Sequence, residues 1–145
     1  MKFYLDVNDP VVDAPSIGLK TAQKLNEIDI YTVRDLLDLE ASTLAARLGD
    51  RRIGEETITQ WQFQAQLVCC IPNLRSHDSQ ILVACGIEEP ATLSSLDAST
   101  FFEQVKGLVD SKKGQRIIRN SKKPDLAEVT AWIQWANSAR QLKAA

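Results

Sequence analysis

One stretch of this chain is written twice. Pro15 to Leu48 aligns without a gap on Pro72 to Val105, with identities at Pro15/Pro72, Gln23/Gln80, Leu25/Leu82, Ile30/Ile87, Leu36/Leu93, Leu39/Leu96 and the block Ala41-Ser42-Thr43/Ala98-Ser99-Thr100. Apolar character persists at Ile17/Leu74, Ile28/Cys85, Leu44/Phe101 and Leu48/Val105. A further echo, Ile58-Thr59-x-Trp61-x-x-x-Ala65 against Val129-Thr130-x-Trp132-x-x-x-Ala136, sits at a larger offset, so the second copy carries an insertion ahead of its Trp segment. A pattern repeated in this way has to bury the same stripe twice. The two copies are therefore expected to fold alike and to pack around a shared core that includes Leu25, Ile30, Leu36, Leu82, Ile87 and Leu93.

The spacing within each copy is helical. Leu19, Ala22 and Leu25 follow a break at Gly18, and Asp29 or Gly86 ends the helix before Ile30 or Ile87. Thr32 with Asp35 at the third helical position reads as an N-cap for Val33 to Leu39, and Ser42 and Ser99 read as caps of the helices Leu44 to Leu48 and Phe101 to Leu108. Ile58, Trp61, Ala65 and Val68 form one apolar stripe, and Leu126, Val129, Trp132, Ile133 and Ala136 form another behind Pro124 and Asp125. Only Phe3 to Val7 offers a short extended piece. The fold class expected is all-α: one compact helical domain made of an N-terminal extension (1-14), unit 1 (15-70) and unit 2 (71-145), with a basic insertion at about 106-123.

The string Pro15-Ser16-Ile17-Gly18-Leu19-Lys20-Thr21-Ala22-x-x-Leu25-x-x-x-x-Ile30 resembles a helix-hairpin-helix motif. Extended over both copies and the Trp61 and Trp132 helices, nearly all of Pro15 to Ala139 resembles the bacterial family called domain of unknown function 4332. The resemblance implies diverged tandem helix-hairpin-helix units, similar to those of DNA repair and recombination proteins, with no catalytic activity attached. The second copy departs from the pattern, with Arg75 where the first has Gly18. A glycine there lets backbone approach a phosphate without a Cβ in the way; Arg75 closes that approach but offers a guanidinium instead.

In such a motif the free amides of the hairpin and of the following helix point outward, the helix dipole favours an anion, and nearby lysines add charge. Ile17, Gly18 and Leu19 would offer amides, and Lys20, Thr21 and Lys24 would line the approach. The other concentration of charge is Lys106 to Lys123, where Lys106, Lys112, Lys113, Arg116, Arg119, Lys122 and Lys123 stand against the single acid Asp110. Lys112, Lys113, Arg116 and Arg119 are its candidate phosphate contacts. The bland reading of both sets is solvated surface and an ordinary turn. Trp61 and Trp132 could stack on bases, but their equivalent places on helical stripes assign them to the core, leaving Trp135 the more exposed of the three.

Other chemistries have little to stand on. Cys69, Cys70 and Cys85 are odd in number, two are adjacent, and with the lone His77 they form no C-x-x-C pair, so free thiols in or near the core are expected, with no metal and no cofactor. His77 beside Asp78 is read as a helix N-terminal pair, and no catalytic motif accompanies it. With 44% hydrophobic and 25% charged residues, and no apolar run able to span a bilayer, a cytoplasmic globular protein without membrane contact is expected. The net charge of -2 argues against whole-molecule capture of polyanions and leaves room for a local basic face. The expected function is sequence-independent binding of nucleic-acid phosphate backbone, DNA in preference to RNA. The alternative is a docking domain for a partner protein in a larger assembly, with hairpins that have lost their phosphate contacts.

Overall fold

The structure, a computed structural model, describes residues 1–142, so residues 143–145 of the expected second unit lie outside it. After a 3₁₀ turn at Val11–Asp13, the helices are α1 (Leu19–Glu27), α2 (Val33–Asp38), α3 (Ala41–Leu48), α4 (Glu55–Cys70), α5 (Ser76–Ala84), α6 (Pro90–Ser94), α7 (Ala98–Asp110), α8 (Lys112–Ile118) and α9 (Leu126–Ala136). The chain is all-helical and compact: among the described residues there is no strand, and Phe3 to Val7 forms none. The only strand-like pairing there is an isolated bridge between Pro10 and Thr32. Nor is any described helix long and apolar enough to cross a membrane.

The duplication is visible bond by bond. In copy one the Ile17 amide donates to Ala14, Ala22 to Gly18 and Ile30 to Leu25; in copy two Leu74 donates to Ile71, Ser79 to Arg75 and Ile87 to Leu82. Helix α4 packs on α2 and α3 as α9 packs on α6 and α7, and α8 is the element that copy one lacks. The six aliphatic residues named from the repeat are all buried, in one cluster with Trp61 and Trp132. Leu5, Val11 and Ala14 join that cluster, which builds the N-terminal segment into the core.

Helix starts follow the chemistry of orphan amides. Thr32 and Asp35 make a reciprocal capping box on α2. Ser42 and Ser99, offered by the sequence as N-caps, lie instead inside α3 and α7, because the caps of those helices fall two residues earlier, at Glu40 and Asp97. The Asp97 carboxylate accepts from the Thr100 amide at 2.9 Å and brings a full charge to the positive end of the helix, which a serine hydroxyl does not.

The basic insertion is held close to the body. Gly114 of α8 sits so tightly on the end of α7 that a Cβ there would lie 2.6 Å from Val109 Cα and overlap the Leu108 carbonyl. Ser111 caps α8 by accepting from the Gly114 amide, and His77 of α5 hydrogen-bonds to the Ile117 carbonyl at 3.0 Å.

Candidate nucleic-acid interface

Hairpin one turns at Ser16, not at Gly18. Ser16 carries the left-handed backbone at φ 69°, whereas Gly18 is extended at φ -88°, ψ -179° and serves as N-cap of α1. Its would-be Cβ position meets nothing within 4 Å. The turn therefore does not need a glycine, and Arg75 holds the same extended conformation at the equivalent place. What Gly18 does provide is openness: no side chain caps α1, so its first amides face outward unshielded.

The residues expected to line this end are not equal. The Ile17 amide is consumed by the Ala14 carbonyl and its side chain is buried, so it offers no donor. Leu19 is 74% exposed and Lys20 is exposed, while Thr21 is half-buried. Lys24 is already ion-paired with Asp50, whose carboxyl is held down at about 2 by that hydrogen bond and by the Arg52 amide. Its charge is largely answered within the protein.

Hairpin two has the same backbone and a different fate. Asn73 donates its amide to the Lys2 carbonyl at 2.6 Å and accepts from the Lys2 amide at 3.2 Å. The Arg75 guanidinium, free for phosphate on sequence grounds, stacks 5.0 Å from the Tyr4 ring and donates to its hydroxyl at 3.2 Å. Asp78, where copy one has Thr21, accepts from the Arg75 amide at 3.1 Å and places a carboxylate at the helix end. Burial pushes the Asp78 carboxyl above its ordinary range, against the hydrogen bonds from the Arg75 amide and the Trp132 indole. The N-terminal segment thus seals hairpin two from outside while Asp78 fills its anion position from within.

The basic insertion divides in a similar way. Lys106, Lys122 and Lys123 lie within ion-pair distance of Glu103, of Asp125 and Glu128, and of Asp110 respectively. Lys112, Lys113, Arg116 and Arg119 are exposed and make no ion pair within the described residues. Three of these four, Lys113, Arg116 and Arg119, line a cleft of about 460 Å³ together with Ser16 of hairpin one. Hairpin one and the free half of the insertion therefore meet at one cavity, which Lys112 does not line.

The cleft floor is polar and was not foreseen from sequence. Ser16 Oγ donates to Gln64 Oε1 at 2.6 Å and accepts from Gln80 Nε2 at 3.0 Å, and Gln64 is buried. The available signal was a glutamine on the buried stripe of α4, one turn from Trp61. No carboxylate lines this cavity. Two of the four non-glycine residues with positive φ among the described residues, Ser16 and Arg119, belong to its lining.

The remaining candidates take structural places. Trp61 and Trp132 are buried, which removes them as stacking platforms, and Trp135 is half-buried against the core. Cys69 and Cys70 are buried and Cys85 is half-buried; burial pushes their thiols up to about 12, 11 and 11. Among the described residues no group of three His, Cys, Asp or Glu side chains is placed to hold a metal ion.

No curated protein and no solved structure matches the chain. Residues 15–139 match the family described as Domain of unknown function (DUF4332), a span that takes in both copies, hairpin one, the cleft and α8. The chain belongs to that family.

Proposed function

We propose that the protein is a non-catalytic, cytoplasmic module of tandem helix-hairpin-helix character that binds the phosphate backbone of nucleic acid, DNA in preference to RNA, without reading sequence. One observation carries this reading. Ser16 belongs both to the hairpin that precedes the uncapped N-terminus of α1 and to the lining of a cleft that also holds the unpaired Lys113, Arg116 and Arg119. Uncapped amides and unpaired cations each suit phosphates, and such contacts fix position without distinguishing bases. A net charge of -2 then keeps attraction local to that face.

The sealing of hairpin two by Lys2 and Tyr4 favours a second reading, because it shows the same motif used to hold polypeptide. Hairpin one would then dock a partner protein. Fluorescence anisotropy with labelled duplex DNA across a salt series separates the two. A phosphate binder loses affinity linearly in log-log form, by roughly 0.7 to 0.9 in slope per contact. Absence of DNA and RNA binding at low salt removes the nucleic-acid reading and leaves protein docking.

A further inference from the structure

The cleft between hairpin one and α8 has a shape and a charge that an internal stretch of duplex does not match. A double helix presents a broad convex surface, and a concavity of about 460 Å³ is the size of a small-molecule site. What enters it has to be narrow: a single nucleotide or the end of a strand.

The charge points the same way. Lys113, Arg116 and Arg119 are three cations with no carboxylate on the cleft walls and no ion pair among the described residues. An internal phosphodiester offers them one negative charge. A terminal phosphate monoester offers about 1.5 to 2 at pH 7 and three acceptor oxygens, and two guanidinium forks are matched to such a group. Below these cations Ser16, Gln64 and Gln80 form a hydrogen-bonded floor, and the Gln60 amide beside it brings both a donor and an acceptor. That floor suits the hydroxyls or base edge of the nucleoside behind the phosphate.

We propose that this cleft binds a terminal phosphate monoester on a nucleoside, presented either by the end of a nucleic-acid strand or by a free mononucleotide. The strand-end form rests on the backbone-binding reading above; the free-nucleotide form does not.

The test is equilibrium binding of the full chain to a single-stranded oligonucleotide with a 5′-phosphate, the same strand with a 5′-hydroxyl, and a hydroxyl-ended strand two nucleotides longer, whose total charge is at least as negative. Adenosine monophosphate and adenosine serve as competitors. The expected result is at least tenfold tighter binding of the phosphorylated end than of either control, displacement by the monophosphate and not by adenosine, and loss of that preference in Arg116→Gln/Arg119→Gln with helicity unchanged. Equal affinity for all three strands overturns the inference and leaves backbone binding standing. Binding of the monophosphate without any strand binding supports the cleft and overturns the backbone reading. If neither strand nor nucleotide binds at low salt, both fall.

Discussion

Ser16 and Asn73 hold the same left-handed backbone, at φ 69° and 66°, in equivalent positions of the two copies, and they face opposite surroundings. The Ser16 hydroxyl sits between Gln64 and Gln80 in the lining of the cleft, whereas Asn73 is bonded in both directions to Lys2. Duplication supplied two hairpins of one geometry; the N-terminal segment left one of them open.

The open hairpin allows stability and binding to be moved in opposite directions. Gly18→Ser should place a hydroxyl over the uncapped amides of α1 in a conformation that serine adopts freely, adding about 0.5 kcal/mol to stability. The same hydroxyl competes for the amides that a phosphate would use, so affinity for DNA should fall. Denaturant unfolding and anisotropy on one preparation check both signs.

Lysines 20 and 24 should differ although the sequence pairs them. Lys20→Glu is expected to lower DNA affinity and the salt slope by about one contact, roughly 0.7 to 0.9, while Lys24→Met changes binding little because Asp50 already answers that charge. In Lys24→Met the Asp50 carboxyl should climb from about 2 back toward 3.8, as read by a carbon-detected NMR titration. Its folded value lies below its unfolded one, so the pair's contribution is present above about pH 3.8 and is lost as pH falls toward 2.

Asp29 and Gly86 end equivalent helices, both with positive φ, at 67° and 87°. Gly86→Ala meets no neighbour, so its expected cost of about 1 kcal/mol is purely one of backbone conformation. Asp29→Gly should cost less than about 0.5 kcal/mol, since its side chain is exposed. Equal losses at the two sites, read by denaturant unfolding, would contradict the left-handed backbone as the cause.

Gly114 is a glycine for a different reason. Gly114→Ala pushes a methyl group into the backbone of Leu108 and Val109, with an expected loss of about 2–3 kcal/mol and displacement of α8. Hydrogen exchange should show the amides of α8 losing protection before those of α4, and the Arg116 side of the cleft should lose its ligand with them.

The repeat made the helices, the core and the assignment of Trp61 and Trp132 legible, because periodic burial is written locally in the residues that are buried. The cleft was not legible. Ser16, Gln64, Gln80 and Arg116 are far apart in the chain, and each is an ordinary polar residue until the fold brings them to one cavity. Charge counting finds seven cations in the insertion but not their partners, since acids within ion-pair distance of Lys106, Lys122 and Lys123 include Glu103, Asp125 and Glu128, outside or at the edge of that stretch. A glycine in the motif drew attention to position 18, while the turn itself was made by the serine two residues earlier.

Arg140 gathers three distant parts of the chain. Its amide donates to the Cys70 carbonyl, its Nε to the Cys69 carbonyl at 2.8 Å and its Nη2 to the Leu5 carbonyl at 3.3 Å, with the Phe3 ring 3.8 Å from its guanidinium carbon. Leu5 and the arginine that holds its carbonyl are 135 residues apart in the chain. The segment that covers hairpin two is therefore held at both ends of its path, by Asn73 and Arg75 through Lys2 and Tyr4 and by Arg140 through Phe3 and Leu5. A cut between α9 and Arg140 would loosen a cover that lies more than sixty residues away in sequence.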